Sequence, residues 1–326
     1  MATIPGTPAV WPLWGAWGKI FSPANGSIGS MSERSPVTAH HIADFERDGV
    51  VLVRDAFAPA WVDLVRDGIE QDLRALGPLH TIQQEKDAPG YFVTDFCMSQ
   101  RLEAFRKFVL ESNAGEIAAK LMRSARCNFF YDAMWAKGPG TRKRTPWHQD
   151  QPYYPINGRQ TCVLWMPVDP VSAENSLECI RGSHNWNRWF QPQLSRDARI
   201  LYGDGDRTFE RMPDIEAKRQ EYDIVSYDVM PGDCVAFAGL TVHGAAGNAS
   251  DQRPRRALST VWMGDDAVFA ERPGKVRPLF EGHGLRPGDA MDCDYFPRVW
   301  PRPDGTTEAE AGVRRFGAGN TFRASI

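Results

Sequence analysis

Apolar positions along the chain follow two different periods. From Thr38 to Met122 they recur mostly at helical spacing. Ile42 and Phe45 follow a Thr38 cap and end at Gly49, while Trp61, Leu64, Ile69 and Leu73 form one stripe between Pro59 and Leu76, closed by Gly77-Pro78. Two more helices are predicted over Leu102 to Ser112 and over Ala114 to Met122, the second opening on an Asn113 cap. Val50 to Val53 and Tyr91 to Met98 break this region with β-branched and aromatic runs that predict strands.

From Cys127 onward the pattern is that of strands. Runs at Phe129 to Lys137, Thr145 to Asp150, Gln160 to Val168, Ser176 to Ile180, Asp223 to Val229, Cys234 to Ala238, Thr241 to Ala245 and Arg256 to Met263 are separated by Gly, Pro and Asn turns. A helical opening followed by short strands predicts a mainly β fold with flanking helices. The expected core is a double-stranded β-helix, the cupin-like jelly roll, with the N-terminal helices packed on one face. One domain is expected over 34–326, with the jelly-roll core at 127–264, a long charged insert at 186–222 and an irregular C-terminal segment at 265–326. Residues 1–33 are rich in Gly, Pro and Ser, carry Trp11, Trp14 and Trp17 without periodicity, and are expected to form a disordered or irregular extension.

Composition acts mainly by exclusion. A net charge of -3 over 326 residues gives no pull toward nucleic acid or an anionic membrane. No apolar run approaches the ~20 residues of a membrane span, and the first residues lack the basic and apolar regions of a secretory signal. The six cysteines contain no Cys-x-x-Cys pair and read as reduced core thiols. The expectation is a cytoplasmic protein acting on a small molecule, with no pattern that speaks to its oligomeric state.

Candidate chemistry concentrates at Trp147-His148-Gln149-Asp150. A histidine and a carboxylate two residues apart on an extended segment project to the same side. His-x-Asp is common, and a hydrogen-bonded core histidine is an equally fair reading of His148 taken alone. Further along, Met230 to Phe237 reads as a turn feeding a strand, followed by Leu240-Thr-Val-His243-Gly244 and then Arg255-Arg-Ala-Leu-Ser259. Two neutral imidazoles and one carboxylate cover one face of an octahedral metal and leave three positions open. Non-haem Fe(II) oxygenases favour that arrangement, whereas structural zinc prefers a closed tetrahedron. An arginine nearby offers a permanently charged fork to a carboxylate. Adjacent strand residues face opposite ways, so only one of Arg255 and Arg256 can serve, with Arg253 a third candidate.

Eight short motifs then occur in a telling order: Phe45-Glu-Arg-Asp-Gly49, Lys137-Gly-Pro-Gly140, Trp147-His-Gln-Asp150, Leu164-Trp-Met-Pro-Val-Asp169, Arg181-Gly-Ser-His184, Pro231-Gly-Asp233, His243-Gly244 and Arg255-Arg-Ala-Leu-Ser259. Through them the chain from about Thr38 to Gly264 resembles the phytanoyl-CoA dioxygenase family of Fe(II)/2-oxoglutarate-dependent oxygenases. The resemblance implies that His148, Asp150 and His243 bind a catalytic iron, that Arg255 anchors 2-oxoglutarate and that Trp165 lines the co-substrate pocket. Fe(II), 2-oxoglutarate and O2 are the implied cofactor and co-substrates, and hydroxylation with release of succinate and CO2 the implied reaction. Two positions depart from the family: Ala245 stands where a serine often contacts 2-oxoglutarate, and Phe92 where some members carry a lysine. Asp150 argues against halogenation, which needs a small residue there to free a site for halide.

Trp135, Tyr153 and Tyr154 are candidates for the substrate wall, against a plain core role. His184 is read as part of a structural turn, His40 and His41 as surface or cap residues, and His80 and His283 as solvated. Arg142-Lys143-Arg144 reads as a solvated loop that could also greet an anionic substrate. Two rival readings are a cupin-like metal-dependent isomerase or hydrolase, which would not need the Arg255 motif, and a non-catalytic jelly-roll binding module.

Overall fold

The computed structural model describes residues 35–83, 88–194, 199–202 and 208–302. The extension expected over 1–33 lies outside them, as do parts of the insert and the end of the C-terminal segment. In chain order the elements are α1 (Ala39–Asp48), β1 (Val50–Val53), α2 (Pro59–Arg74), β2 (Thr81–Ile82), β3 (Phe92–Phe96), α3 (Glu103–Glu111), α4 (Ala114–Leu121), β4 (Cys127–Lys137), β5 (Thr145–His148), β6 (Ile156–Asn157), β7 (Thr161–Pro167), β8 (Leu177–Ile180), β9 (Ile224–Val225), β10 (Cys234–Ala238), β11 (His243–Ala245), β12 (Arg255–Met263), β13 (Val268–Phe269) and β14 (Arg298–Trp300).

The strands form an eight-stranded sheet in the order β1-β10-β7-β12-β4-β3-β2, with β14 on β4, and a four-stranded sheet β5-β11-β8-β9. Every pairing in them is antiparallel. The expected jelly-roll architecture is borne out, with four α-helices among the described residues.

Alternation along the central strands decides what each face of the large sheet carries. Cys162, Leu164 and Met166 of β7, Cys234 and Ala236 of β10, and Leu258 of β12 pack in one cluster with Val65, Ile69, Phe105, Phe108 and Ile117 of the helices. Val163 and Trp165, Val235 and Phe237, and Ala257 and Val261 belong to a second cluster with Leu177, Cys179 and Ala245 of the small sheet. Helices therefore cover one face and the second sheet covers the other. A bulge in β4 adjusts this pattern. Val261 pairs with Tyr131 but Trp262 pairs with Phe129, so Phe130 is the extra residue, and Phe130 and Tyr131 both join the inner cluster.

Local signals behaved mostly as predicted. Thr38 caps α1 in a reciprocal box with His41, and Gly49 ends it at φ 72. Asn113 does not cap α4: its side-chain amide donates to the Ala56 carbonyl instead, and the Ser112 hydroxyl accepts from Ala114 N–H. The strand predicted at Asp223 to Val229 shrinks to Ile224–Val225. The Ser226 hydroxyl there shares its one proton between the Ala173 and Leu177 carbonyls, and Val229 pairs with Val171. Within the insert, Phe190 and Ile215 bury against Ile180 and Val242 of the small sheet, so its described part is packed.

Candidate active site

His148 and His243 are cross-strand partners on β5 and β11, which places their rings side by side with centroids 4.2 Å apart. Asp150 arrives differently from expectation. The strand ends at His148, and Asp150 has helical dihedrals at the start of a 3-10 turn over Gln151–Tyr153. The backbone N–H groups of Asp150 and Gln151 both donate to the Gly239 carbonyl, which pins this corner to the turn leading into β11. The shared direction of His148 and Asp150 thus comes from a turn after the strand rather than from one continuous strand. Gln149 between them points away and is buried. Its amide donates to the Arg188 and Leu240 carbonyls and accepts from Phe190 N–H, joining the insert to the site.

Asp150 Oδ1 lies 3.3 Å from His148 Nε2 and 3.8 Å from His243 Nε2. One ligand atom from each of the three residues falls within 4.8 Å of the others. The second nitrogen of each imidazole is already committed to a backbone carbonyl, His148 Nδ1 to Pro146 at 2.8 Å and His243 Nδ1 to Thr241 at 3.0 Å. Those bonds put the protons on Nδ1 and leave both Nε2 lone pairs facing the same point. Burial opposes charge on His148, but the Asp150 carboxylate beside it prevails and holds the imidazole above its ordinary value. Burial and the neighbouring imidazole push His243 down to about 4. For Asp150, burial is outweighed by the two histidines, and the carboxyl sits below its usual range. An ionised carboxylate beside convergent imidazoles is the donor set a divalent transition metal takes, and these residues fit an Fe(II) ion.

Two cavities meet at this corner. The smaller, about 40 Å³, lies between the sheets and is lined by Trp165, Ala245, Arg255 and Ser259 together with His243. The larger, about 220 Å³, opens on the other side. Trp135, Trp147, Tyr153, Tyr154, Gln191 and Arg277 are among its walls. Tyr131, Trp135, Thr145, His148 and Asp150 border both.

The three arginines differ in facing. Arg255 is buried and turned into the small cavity, where it donates to the Asn175 carbonyl and burial alone lowers its pKa to about 10. Arg256 faces the other way and pairs with Asp169 at 2.7 Å and Glu70 at 3.4 Å, while Arg253 is exposed. Ala245 does line the small cavity. Phe92 does not, and its ring instead carries the Lys137 ammonium 4.4 Å from its centroid.

Trp135, Tyr153 and Tyr154 are all walls of the larger cavity, and the two tyrosines differ in what they hold. The Tyr153 hydroxyl accepts from Gln193 N–H at 2.9 Å and donates to the same residue's carbonyl, tying the insert down. The Tyr154 hydroxyl is 2.9 Å from that of Tyr131 and also interacts with the Asp150 carboxylate. The remaining histidines stay out of the site. His184 Nε2 faces the Glu46 carbonyl, His40 pairs with Asp44, and His80 Nδ1 contacts the Gly77 carbonyl. His283 is half-buried against Phe269 rather than solvated. Arg144 is ion-paired with Glu178.

Sequence reasoning passed over Tyr131, Ser259, Gln191 and Arg277 as lining residues. Ser259 could have been found, since it lies four positions from Arg255 on one strand and therefore on the same face. Tyr131 could have been found in the same way, since it lies four positions from Trp135 in the regular part of β4, beyond the bulge at Phe130. Gln191 and Arg277 come from aperiodic segments that no spacing rule places.

A jelly roll that presents two imidazoles and a carboxylate between two cavities defines a non-haem metal enzyme class. The model of the phytanoyl-CoA dioxygenase (PhyH) family matches residues 45–257, more than half of the chain, and the chain belongs to that family of iron- and 2-oxoglutarate-dependent oxygenases. Among solved structures it is similar to the non-heme alpha-ketoglutarate-dependent carbocyclase SnoK from nogalamycin biosynthesis. That match has 24% identity and a TM-score of 0.61, covering 81% of this chain and 96% of that one. It is also similar to the epimerase SnoN in complex with Fe3+, alpha ketoglutarate and nogalamycin RO, at 20% identity and a TM-score of 0.61, covering 80% and 97%. A third is EctD from S. alaskensis with 2-oxoglutarate and 5-hydroxyectoine, at 18% identity and a TM-score of 0.60, covering 81% and 89%. No curated protein matches the chain. Among the described residues no helix is long and apolar enough to cross a membrane.

Proposed function

We propose that the protein hydroxylates an unactivated C–H bond of a small molecule, with His148, Asp150 and His243 as the iron ligands and Arg255 as the anchor of 2-oxoglutarate. The observation that carries this reading is the meeting of the two cavities at one set of donor atoms. A compact co-substrate fits the small cavity, its far carboxylate toward Arg255 and its 2-oxo acid end toward the metal ligands, with Trp165 as part of the wall. The primary substrate fits the larger cavity, where Trp135, Tyr153 and Tyr154 offer flat apolar surfaces and Gln191 a polar contact.

Bound iron supplies one chemistry, the coupling of oxidative decarboxylation of 2-oxoglutarate by O2 to attack on a C–H bond. The chain's own residues do the rest. His148, Asp150 and His243 would hold the ion, the carbonyls of Pro146 and Thr241 fix the imidazole tautomers, and the aromatic walls exclude water. Asp150 keeps the carboxylate position filled, which favours hydroxylation over halogenation. SnoK and SnoN bear the names of a carbocyclase and an epimerase, so the fate of the attacked carbon needs its own test.

Anaerobic protein given Fe(II) and 2-oxoglutarate should develop a visible charge-transfer band, absent in His148→Ala and His243→Ala. No band in the wild-type protein would sink the reading and revive the metal-dependent isomerase or the binding module. With a substrate in hand, one atom of 18O from labelled O2 should enter the product. Product formed without label, alongside succinate release, would replace hydroxylation by ring closure or epimerisation.

A further inference from the structure

Lys137 is a fully buried lysine in the interior of an enzyme that the preceding reading does not use. It lies at the end of β4, where it pairs in register with Arg255 of β12 on one side and with Phe92 of β3 on the other. Directly paired residues share a face, so Phe92, Lys137 and Arg255 form one row across the inner side of the large sheet. The Lys137 ammonium has three acceptors for its three protons: the Lys143 carbonyl at 2.9 Å, the Ala246 carbonyl at 2.8 Å and the Thr145 hydroxyl at 3.4 Å. The face of Phe92 lies beneath it. Burial and the Arg255 and Arg144 guanidiniums push the Lys137 amine well below its ordinary value, and the three acceptors and the ring face are what favour its charged form.

Arg255 stands in the same row with a less complete set of partners. It donates to the Asn175 carbonyl at 2.5 Å and, at 3.5 Å, to the Ala246 carbonyl that Lys137 also uses, and its buried Nε has no partner. Among the described residues no carboxylate pairs with either cation. Two like charges placed side by side in the interior repel each other, and leaving them without an anion is costly. Arg255 and Thr145 both border the small cavity, so an anion bound there would face Arg255 with Lys137 immediately behind.

We propose that Lys137 is a second cation of the co-substrate site. Through the Ala246 carbonyl it positions the Arg255 guanidinium, and its charge selects a dianionic 2-oxo acid over a monoanionic one. The inference rests on the reading of Arg255 as the co-substrate anchor. It assigns Lys137 a positioning and selectivity role without contact with the reacting atoms. It also gives a reason why Phe92 can be apolar, since the ring supports a positive charge delivered from the neighbouring strand.

The test is calorimetric, on Mn(II)-loaded full-length protein that cannot turn over. Two ligands are compared: 2-oxoglutarate and 5-methyl-2-oxohexanoate, in which an isopropyl group replaces the far carboxylate. Wild type should prefer the dianion by at least about a hundredfold. Lys137→Gln, which keeps a hydrogen-bond donor but drops the charge, and Lys137→Met should lower that preference by about tenfold, through weaker 2-oxoglutarate binding and unchanged monoanion binding. Unchanged selectivity in Lys137→Gln overturns the proposal. So does an equal loss for both acids, or a loss of Mn(II) affinity with them, because either would mark a merely structural lysine. A wild-type protein that binds neither acid removes the proposed function itself, an outcome distinct from a wild type that binds and a variant that discriminates equally well.

Discussion

Arg255→Leu should weaken 2-oxoglutarate binding while making the ligand-free protein more stable. Removing one partner of a buried, hydrogen-bonded charge pair costs about 2–5 kcal/mol, which puts the loss of 2-oxoglutarate affinity at about 30- to 4,000-fold. Without co-substrate the balance reverses. Burial holds the guanidinium down at about 10, and at ~1.4 kcal/mol per pH unit its charge costs the folded chain roughly 3 kcal/mol. Because a base with a lowered folded pKa destabilises wherever it is protonated, that cost is full below about pH 10 and is relieved only above it. Leucine forfeits the bonds to the Asn175 and Ala246 carbonyls, about 1 kcal/mol each. The net gain is ~1 kcal/mol, or a melting temperature higher by about 2–4 °C. Adding 2-oxoglutarate at about a hundred times the wild-type Kd to the Mn(II)-loaded proteins should then stabilise the wild type by ~2.7 kcal/mol and the variant by under ~1 kcal/mol. The order of the two melting temperatures should cross on adding ligand. A variant that is less stable without ligand, or that shifts with 2-oxoglutarate as the wild type does, would refute the assignment of Arg255 as a charge held ready for an anion.

Arg256→Ala should do the reverse: it breaks the buried pair with Asp169 and Glu70, costing about 3 kcal/mol of stability in a urea melt, and leaves 2-oxoglutarate affinity within about twofold of wild type. Gly49→Ala should destabilise by about 2 kcal/mol or more and weaken Mn(II) binding. The new Cβ would sit at φ 72 within 2.7 Å of Thr241 Oγ1 and closer still to His184, displacing the segment that fixes His243. Burial raises Asp132 to about 6, so its contribution to stability is present below about pH 4 and is lost as pH rises through 6. Against Asp132→Asn, the wild type should lose roughly 2 kcal/mol between pH 4 and pH 6, and parallel stability curves for the two proteins would contradict this.

How far these elements could be read from the chain depended on whether a local rule acts there. Helix ends at Thr38 and Gly49 and strands such as Val50–Val53 and Cys234–Ala238 carry their own caps, turns and alternation, and they stand where predicted. Which of Arg255 and Arg256 faces the small cavity needed the structure, because alternation says that two neighbours face opposite ways and does not say which faces in. Asp150 shows a subtler limit. Its direction was right and the reason was wrong, since a hydrogen bond from its N–H to the Gly239 carbonyl, a long-range contact, turns the chain after His148. Phe129 shows another, because the extra residue Phe130 in β4 turns it to the helix-covered face while Tyr131 stays inward.

The distribution of the two cavities follows from the same distinction. The small one is built almost wholly from strand residues of the two sheets, from Trp165 on β7 to Ser259 on β12, so its shape is fixed by ladder register. The larger one borrows walls from segments outside the sheets, Gln191 and Gln193 in the insert and Arg277 beyond β13, held on by Tyr153, whose hydroxyl bonds Gln193 and whose carbonyl accepts from Arg277 N–H. Such segments have no period to constrain them and can change without disturbing the ladder. On the proposed reading, the metal and co-substrate sites are therefore set by ladder register and the substrate wall by segments that Tyr153 holds against the sheets.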